Sequence, residues 1–203
     1  MSLFPMFLKL EGRRCLVVGA GSVGQPKIRS LLVARAQVRV IAPQASEAVK
    51  GWARAGVIQW EAREFQISDL EGVFLVVAAT ASRDVNEAIF REARRQNILC
   101  NVVDDPEHCD FYYPAVVRRG DLQFAISTSG HSPALAQRLR QELEAQFAPE
   151  YAGWVEDLGA VRQQLFASGV TPEVRRLLLH EIASREGFEA LESGEPSGKG
   201  ENP

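Results

Sequence analysis

Residues 14–24 read RCLVVGAGSVG, an apolar run that closes on Gly19-Ala20-Gly21-Ser22-Val23-Gly24, and an amphipathic segment follows over about 22–34. Each glycine at this spacing has its own physical reason. The first permits a tight turn, the second lets backbone approach a pyrophosphate, and the third lets the helix pack closely on the strand. Phosphates held there lie on unpaired helix N–H groups and the positive end of the helix dipole. Alone, the spacing says little; a glycine-rich turn in a domain that binds no nucleotide reads the same way. Its place after the first of several alternating elements makes it specific, and it predicts a dinucleotide site.

The alternation continues outward. Apolar runs stand at Arg14–Val18, Val38–Ala42, Val57–Trp60, Val73–Ala79 and Ile98–Val103, with amphipathic segments at about 22–34, 46–55 and 84–96 between them. Strands apolar throughout, alternating with helices, mean a parallel sheet covered on both faces. One expected feature is missing. The second strand ends Ile41-Ala42-Pro43-Gln44, where an acidic residue normally bonds the adenosine ribose, and no arginine stands there for a 2′-phosphate. Backbone around Pro43 and Gln44 must serve instead, and the motif leaves NAD and NADP open.

After Val103 the pattern changes. Asp105-Pro106-Glu107-His108 is rich in turn formers, Leu122–Ile126 reads as a strand, and Ser132-Pro133 is a capping residue followed by proline at the first helical position. Leu135, Leu139, Leu143 and Phe147 form one helical stripe. Two further helices carry Trp154, Leu158, Val161 and Leu165, then Val174, Leu178 and Ile182. From Glu192 no apolar residue anchors the tail, which is expected to be disordered.

The 203 residues carry 46% hydrophobic and 24% charged side chains and a net charge of −3, which speaks for a globular chain and against a nucleic-acid-coating surface. Three cysteines, no leader-like N-terminus and no membrane-length apolar run predict a reduced, cytoplasmic protein with no membrane partner.

Several stretches together resemble the precorrin-2 dehydrogenase / sirohydrochlorin ferrochelatase family, in its form without a methyltransferase half. They are FPMFLKLEGRRCLVVGAGSVG at 4–24, VVAAT at 76–80, CNVVDDP at 100–106 and FYYPAVVRRGDLQFAISTSGHSPALAQRLR at 111–140. Gln25-Pro26 departs from the family, whose members commonly have arginine before Lys27. The resemblance implies NAD as cofactor, held by Gly19, Gly21, Ser22, Val23, Gly24, Pro43, Gln44 and Thr80. It also implies precorrin-2 as substrate, Fe²⁺ as a substrate of chelation if iron is inserted, and a homodimer paired through residues 111–148. The expected fold is a Rossmann-like doubly wound parallel sheet at 1–112. A small α+β dimerisation and substrate region follows at 113–148, then a helical domain at 149–190 and a tail at 191–203.

The resemblance marks Asp104 as catalytic, and the chemistry agrees. It follows the fifth strand, where open α/β sheets bind ligands, and a carboxylate there accepts the proton lost in a dehydrogenation. Asp105 reads as the turn residue. Ser127, Thr128, His131 and Ser132 could cradle substrate carboxylates at a helix start, or simply cap it. Arg118, Arg119 and Arg138 could pair with such carboxylates, or be merely solvated. Lys27 is a further cation near the phosphates. His108, Cys109 and Asp110 suit structural roles better than metal ligation, and Phe111, Tyr112 and Tyr113 suit packing. A nucleotide-bound tetrapyrrole carrier or regulatory protein on the same scaffold is the alternative to an enzyme, and Asp104 discriminates them, because a carrier needs no base.

Overall fold

The computed structural model describes residues 3–193, whose backbone falls into two units that divide between Tyr113 and Pro114. In the first, strands β1 (Arg14–Ala20), β2 (Gln37–Ala45), β3 (Gln59–Glu61), β4 (Leu75–Ala78) and β5 (Leu99–Val102) form one parallel sheet in the order β3-β2-β1-β4-β5. Side chains alternate across it. Cys15, Val17, Val40 and Val77 pack on one face with Ile28 and Leu31 of α1 (Gly24–Val33) and Val49 of α2 (Glu47–Arg54). Leu16, Val18, Val76 and Ala78 pack on the other with Ile89 and Ala93 of α3 (Arg83–Arg95). Both faces are thus dry, which is why the strands carry no polar alternation. Each large side chain buried here contributes about 1.5–3 kcal/mol. The sheet is doubly wound, as its alternation predicts.

Strand order reverses between β1 and β4, and this switch point opens a crevice at the carboxyl ends of the strands. The link from β3 to β4 has only a 3₁₀ turn, Ile67–Leu70, in place of a helix. Charge holds it. Arg39 of β2 donates to Glu61 (2.6 Å) and to Asp69 (2.8 Å), and Arg63 donates to the same two carboxylates. Asp69 is 4% exposed and multiply hydrogen-bonded, whereas Arg39, Arg63 and Glu61 keep about a third of their side chains in water, so only the Asp69 carboxylate is shielded.

The second unit opens with a hairpin, β6 (Ala115–Arg119) and β7 (Leu122–Ile126), turning at Gly120 with φ +57°. Only β7 was expected as a strand. Arg118 and Arg119 interrupt the apolar reading of β6, whose one fully buried side chain is Val117. Helix α4 (Pro133–Gln146) follows, and the Arg119 guanidinium donates to the carbonyls of Glu144 and Phe147 at its C-terminus. Arg119 is therefore structural. A chain of ring contacts runs from Phe124 through Phe147 and Tyr151 to Phe188. It joins the hairpin to α5 (Tyr151–Ala167) and α7 (Arg185–Ser193), while α6 (Pro172–Ile182) lies between these in sequence. Residues 113–148 and 149–190, expected as separate regions, so share one packed unit from Pro114 on. The expected unstructured tail begins too early: α7, not foreseen, runs through Ser193, and 194–203 lie outside the described residues.

Asp69 makes the ion network testable. Arg63 is the main cause that holds its carboxyl at about 2, below the ordinary 3.8. The stabilisation is complete above 3.8 and is lost as pH falls through about 2. Asp69→Asn should therefore lower unfolding free energy by about 2 kcal/mol at neutral pH. In urea titrations the gap to the parent should close as pH drops from about 4 towards 2. A gap independent of pH would mean the carboxylate charge is not what holds this turn.

Candidate active site

Gly19 and Gly24 owe their identity to packing. A β-carbon on Gly19, whose φ is +103°, would lie 2.2 Å from the Ala79 carbonyl oxygen, and one on Gly24 would lie 2.2 Å from that of Gly19. Gly21 differs. A β-carbon there meets nothing within 4 Å, and its backbone is not among the positive-φ positions. The protein itself therefore leaves room for a side chain at Gly21, which would extend into open space.

Helix α1 adds a second sign. α2 and α3 are capped by the hydroxyls of Ser46 and Ser82, which accept from Val49 and Val85. α1 has Val23 at its cap, no side-chain bond and no acidic residue in its first turn. The Gln25 N–H donates to the Gly21 carbonyl and Pro26 has none, so it is the backbone before Gln25, at Ser22 and Val23, that meets the crevice at the positive dipole end. Pro26 fits because its position in the first turn has no helical acceptor anyway, and Gln25 accepts from the Ser46 hydroxyl at 2.8 Å. The Lys27 ammonium lies 3.8 Å from the Tyr113 ring centre, and burial lowers its pKa while the charge of Asp104 acts in the opposite direction.

The crevice has a volume of about 770 Å³. It gathers Gly19, Gly21, Ser22, Val23, Pro43, Gln44, Thr80 and Asp104, all expected from the sequence; Gly24 lies buried beneath. Thr80 is held by its own turn, its hydroxyl 2.7 Å from Asn86 Oδ1. Asp104 is exposed and stands at φ +61°, a left-handed conformation that aspartate tolerates but rarely adopts without a constraint.

The constraint lies in its neighbours. Val103 N–H donates to the Ala78 carbonyl, and Asp110 and Cys100 exchange bonds of 2.8 and 2.9 Å across the base of the loop. The Cys109 thiol donates to the carbonyls of Val102 and Asp105, and Asn101 donates to that of Phe111. His108 pairs with Asp105 at 2.7 Å and lies edge-on to Phe90. Asp105 is thus occupied, whereas the Asp104 carboxylate lines the crevice. Cys109 and His108 do structural work, and Asp110 closes the loop. Burial pushes the other two thiols up, Cys15 to about 11 and Cys100 to about 12, which leaves neither a nucleophile at neutral pH.

Residues 6–115 match the family described as putative NAD(P)-binding, and residues 119–146 match the sirohaem biosynthesis protein central segment. The chain belongs to this NAD(P)-binding family. It is 39% identical to siroheme synthase 1 of Aeromonas hydrophila, over 82% of this chain and 36% of that protein. It is 42% identical to the siroheme synthase of Photorhabdus laumondii, over 71% of this chain and 31% of that one. It thus spans about a third of the length of these curated relatives. The solved structure of SirC, a precorrin-2 dehydrogenase, is 28% identical, covers 93% of this chain and 94% of its own, and superposes with a TM-score of 0.80.

The family crevice also contains residues the sequence did not reveal, chiefly Glu64 and Phe65 from the β3–β4 link and Ser82 and Val85 at the start of α3. No motif marks the first pair. They are brought there by the ion network, since Arg63 also donates to the Glu64 carbonyl at 2.8 Å.

The remaining expected residues belong to the second unit. Ser132 caps α4 by accepting from Leu135, and its own N–H donates to the Thr128 hydroxyl. Ser127 accepts from Ser129, whose φ is +52°. The loop is thus a self-bonded helix start with His131 exposed at its turn. Arg118 donates to Gln123, and Arg138 pairs with Glu142 at 3.4 Å on an exposed face. Both are surface contacts of small energetic weight.

The glycines separate packing from binding. Gly21→Asp should melt like the parent yet lose NAD affinity, because its carboxylate enters open space against the pyrophosphate. Gly19→Ala should unfold or melt far lower, because the new methyl collides with backbone. Calorimetry and thermal melts check both; a Gly21→Asp variant that binds NAD normally would remove the phosphate site from this turn.

Proposed function

We propose that the chain is an NAD-dependent precorrin-2 dehydrogenase that forms sirohydrochlorin. The observation that carries this reading is Asp104, a carboxylate on a constrained left-handed backbone, lining the same crevice as the glycine turn. The match at 119–146 to the sirohaem biosynthesis segment, with the likeness to siroheme synthases and to SirC, supports the tetrapyrrole as substrate class.

The oxidation removes a hydride and a proton from the reduced macrocycle. Bound NAD supplies the hydride acceptor. The uncapped α1 terminus and Gly21 hold the pyrophosphate, while Gln44, Pro43 and Thr80 line the cavity around the remainder. Asp104 takes the proton, for which an unpaired, solvent-accessible carboxylate is suited. Ser127, Thr128, His131 and Ser132, with Arg118 and Arg138, are proposed to meet the substrate's acetate and propionate groups through hydroxyl and guanidinium donors. Insertion of Fe²⁺ into the product belongs to the same proposal as a second step, with the ion as substrate and Asp104 accepting pyrrole protons.

The protein is proposed to be cytoplasmic and homodimeric. Among the described residues no helix is long and apolar enough to cross a membrane. The second unit exposes Val116 and Leu135 on the hairpin and α4, the elements proposed to pair. A monomer mass at sedimentation equilibrium would reject the dimer.

Neighbouring aspartates provide the test. Asp104→Asn keeps shape but removes the base, and kcat for sirohydrochlorin formation should fall about 10²- to 10⁴-fold with NAD affinity unchanged. Asp105→Asn should cost far less, since its carboxylate serves His108. An Asp104→Asn enzyme that turns over like the parent would end the assignment.

A further inference from the structure

The end of β2 is where this fold usually places the acid that holds the adenosine ribose, and here it offers Ala42-Pro43-Gln44. Two acidic side chains line the crevice, Glu64 and Asp104. They enter from opposite sides of β1. Asp104 follows β5, beyond β4, and Glu64 follows β3, beyond β2. The second side is the one on which the adenosine half of a dinucleotide lies when its pyrophosphate crosses the turn after β1.

We infer that Glu64 replaces the missing acid: its carboxylate accepts the hydrogen bonds of the adenosine ribose hydroxyls and excludes a 2′-phosphate, making the crevice selective for NAD over NADP. The inference rests on the nucleotide reading above and names the residue that decides which nucleotide is taken.

Strand register supports the placement. β3 runs parallel to β2 with Glu61 beside Ile41, and both chains continue from that pair to the same cavity, one through Pro43 and Gln44, the other through Glu64 and Phe65. Glu64 is exposed, so its carboxylate is free to meet a ligand, while its backbone is held by the 2.8 Å bond from Arg63. The same bonds remove the opposite reading. Arg63 adjoins Glu64 and would be the natural receiver of a 2′-phosphate, but its guanidinium is committed to Asp69 and Glu61. Among the described residues no lysine or arginine lines the crevice. A 2′-phosphate would enter against a carboxylate with no cation to offset its charge, which is discrimination by repulsion as well as by attraction.

Calorimetric titration of the parent and of Glu64→Gln with NAD and with NADP tests this without relying on turnover. The parent should bind NAD more tightly. Glu64→Gln should melt like the parent, bind NAD about tenfold more weakly and bind NADP better, because a charge-assisted hydrogen bond is lost and a repulsion relieved. A variant that keeps the parent's ratio of affinities, or a parent that prefers NADP, overturns the Glu64 assignment and leaves the nucleotide site standing. A parent that binds neither nucleotide overturns both.

Discussion

The first and third glycines of the turn leave no room for a β-carbon. One on Gly24 would press into the Gly19 carbonyl, and one on Gly19 into the Ala79 carbonyl, each at 2.2 Å. Through these contacts β1, α1 and the end of β4 meet backbone to backbone at the point where strand order reverses. That closeness sets the rest. It brings the bare terminus of α1 to the crevice, brings Thr80 alongside it, and lets β5 deliver Asp104 from the next strand over. A larger residue at either glycine would part α1 or β4 from β1 and close or scatter the site.

Much of this architecture was legible because burial on two faces leaves a plain mark in sequence. Runs such as Val73–Ala79 carry no polar residue, since both sides of β4 are dry, and the helices between carry serine caps at Ser46 and Ser82. What stayed hidden was held by less regular means. β6 ends in two consecutive arginines after Val117, one of which folds back to cap α4, so its strand character is masked by a tertiary task. α7 is fixed chiefly by Phe188 against Tyr151 and Trp154, a contact no local periodicity announces.

The site divides in the same way. That the glycine turn and Asp104 share one crevice was legible because each sits at the end of an apolar strand. Asp105 read as the turn residue before Pro106 and Asp104 as the one at the strand end; the structure adds the His108 bond of the first and the left-handed backbone of the second. Glu64 could not be found, because its route into the crevice depends on four charged side chains, Arg39, Glu61, Arg63 and Asp69, drawn from separate elements. Ser132, conversely, shows how a motif can have two readings. Its hydroxyl is a helix cap in the folded chain, and any part in carboxylate binding is added to that role.

The most direct measurement of the central claim is stoichiometric. The purified chain is mixed with precorrin-2 and NAD under anaerobic conditions, and NADH and sirohydrochlorin are followed together by their absorbance. An enzyme built as described forms one NADH for each sirohydrochlorin, at a rate proportional to protein. Sirohydrochlorin appearing no faster than without the chain, or without matching NADH, would contradict it.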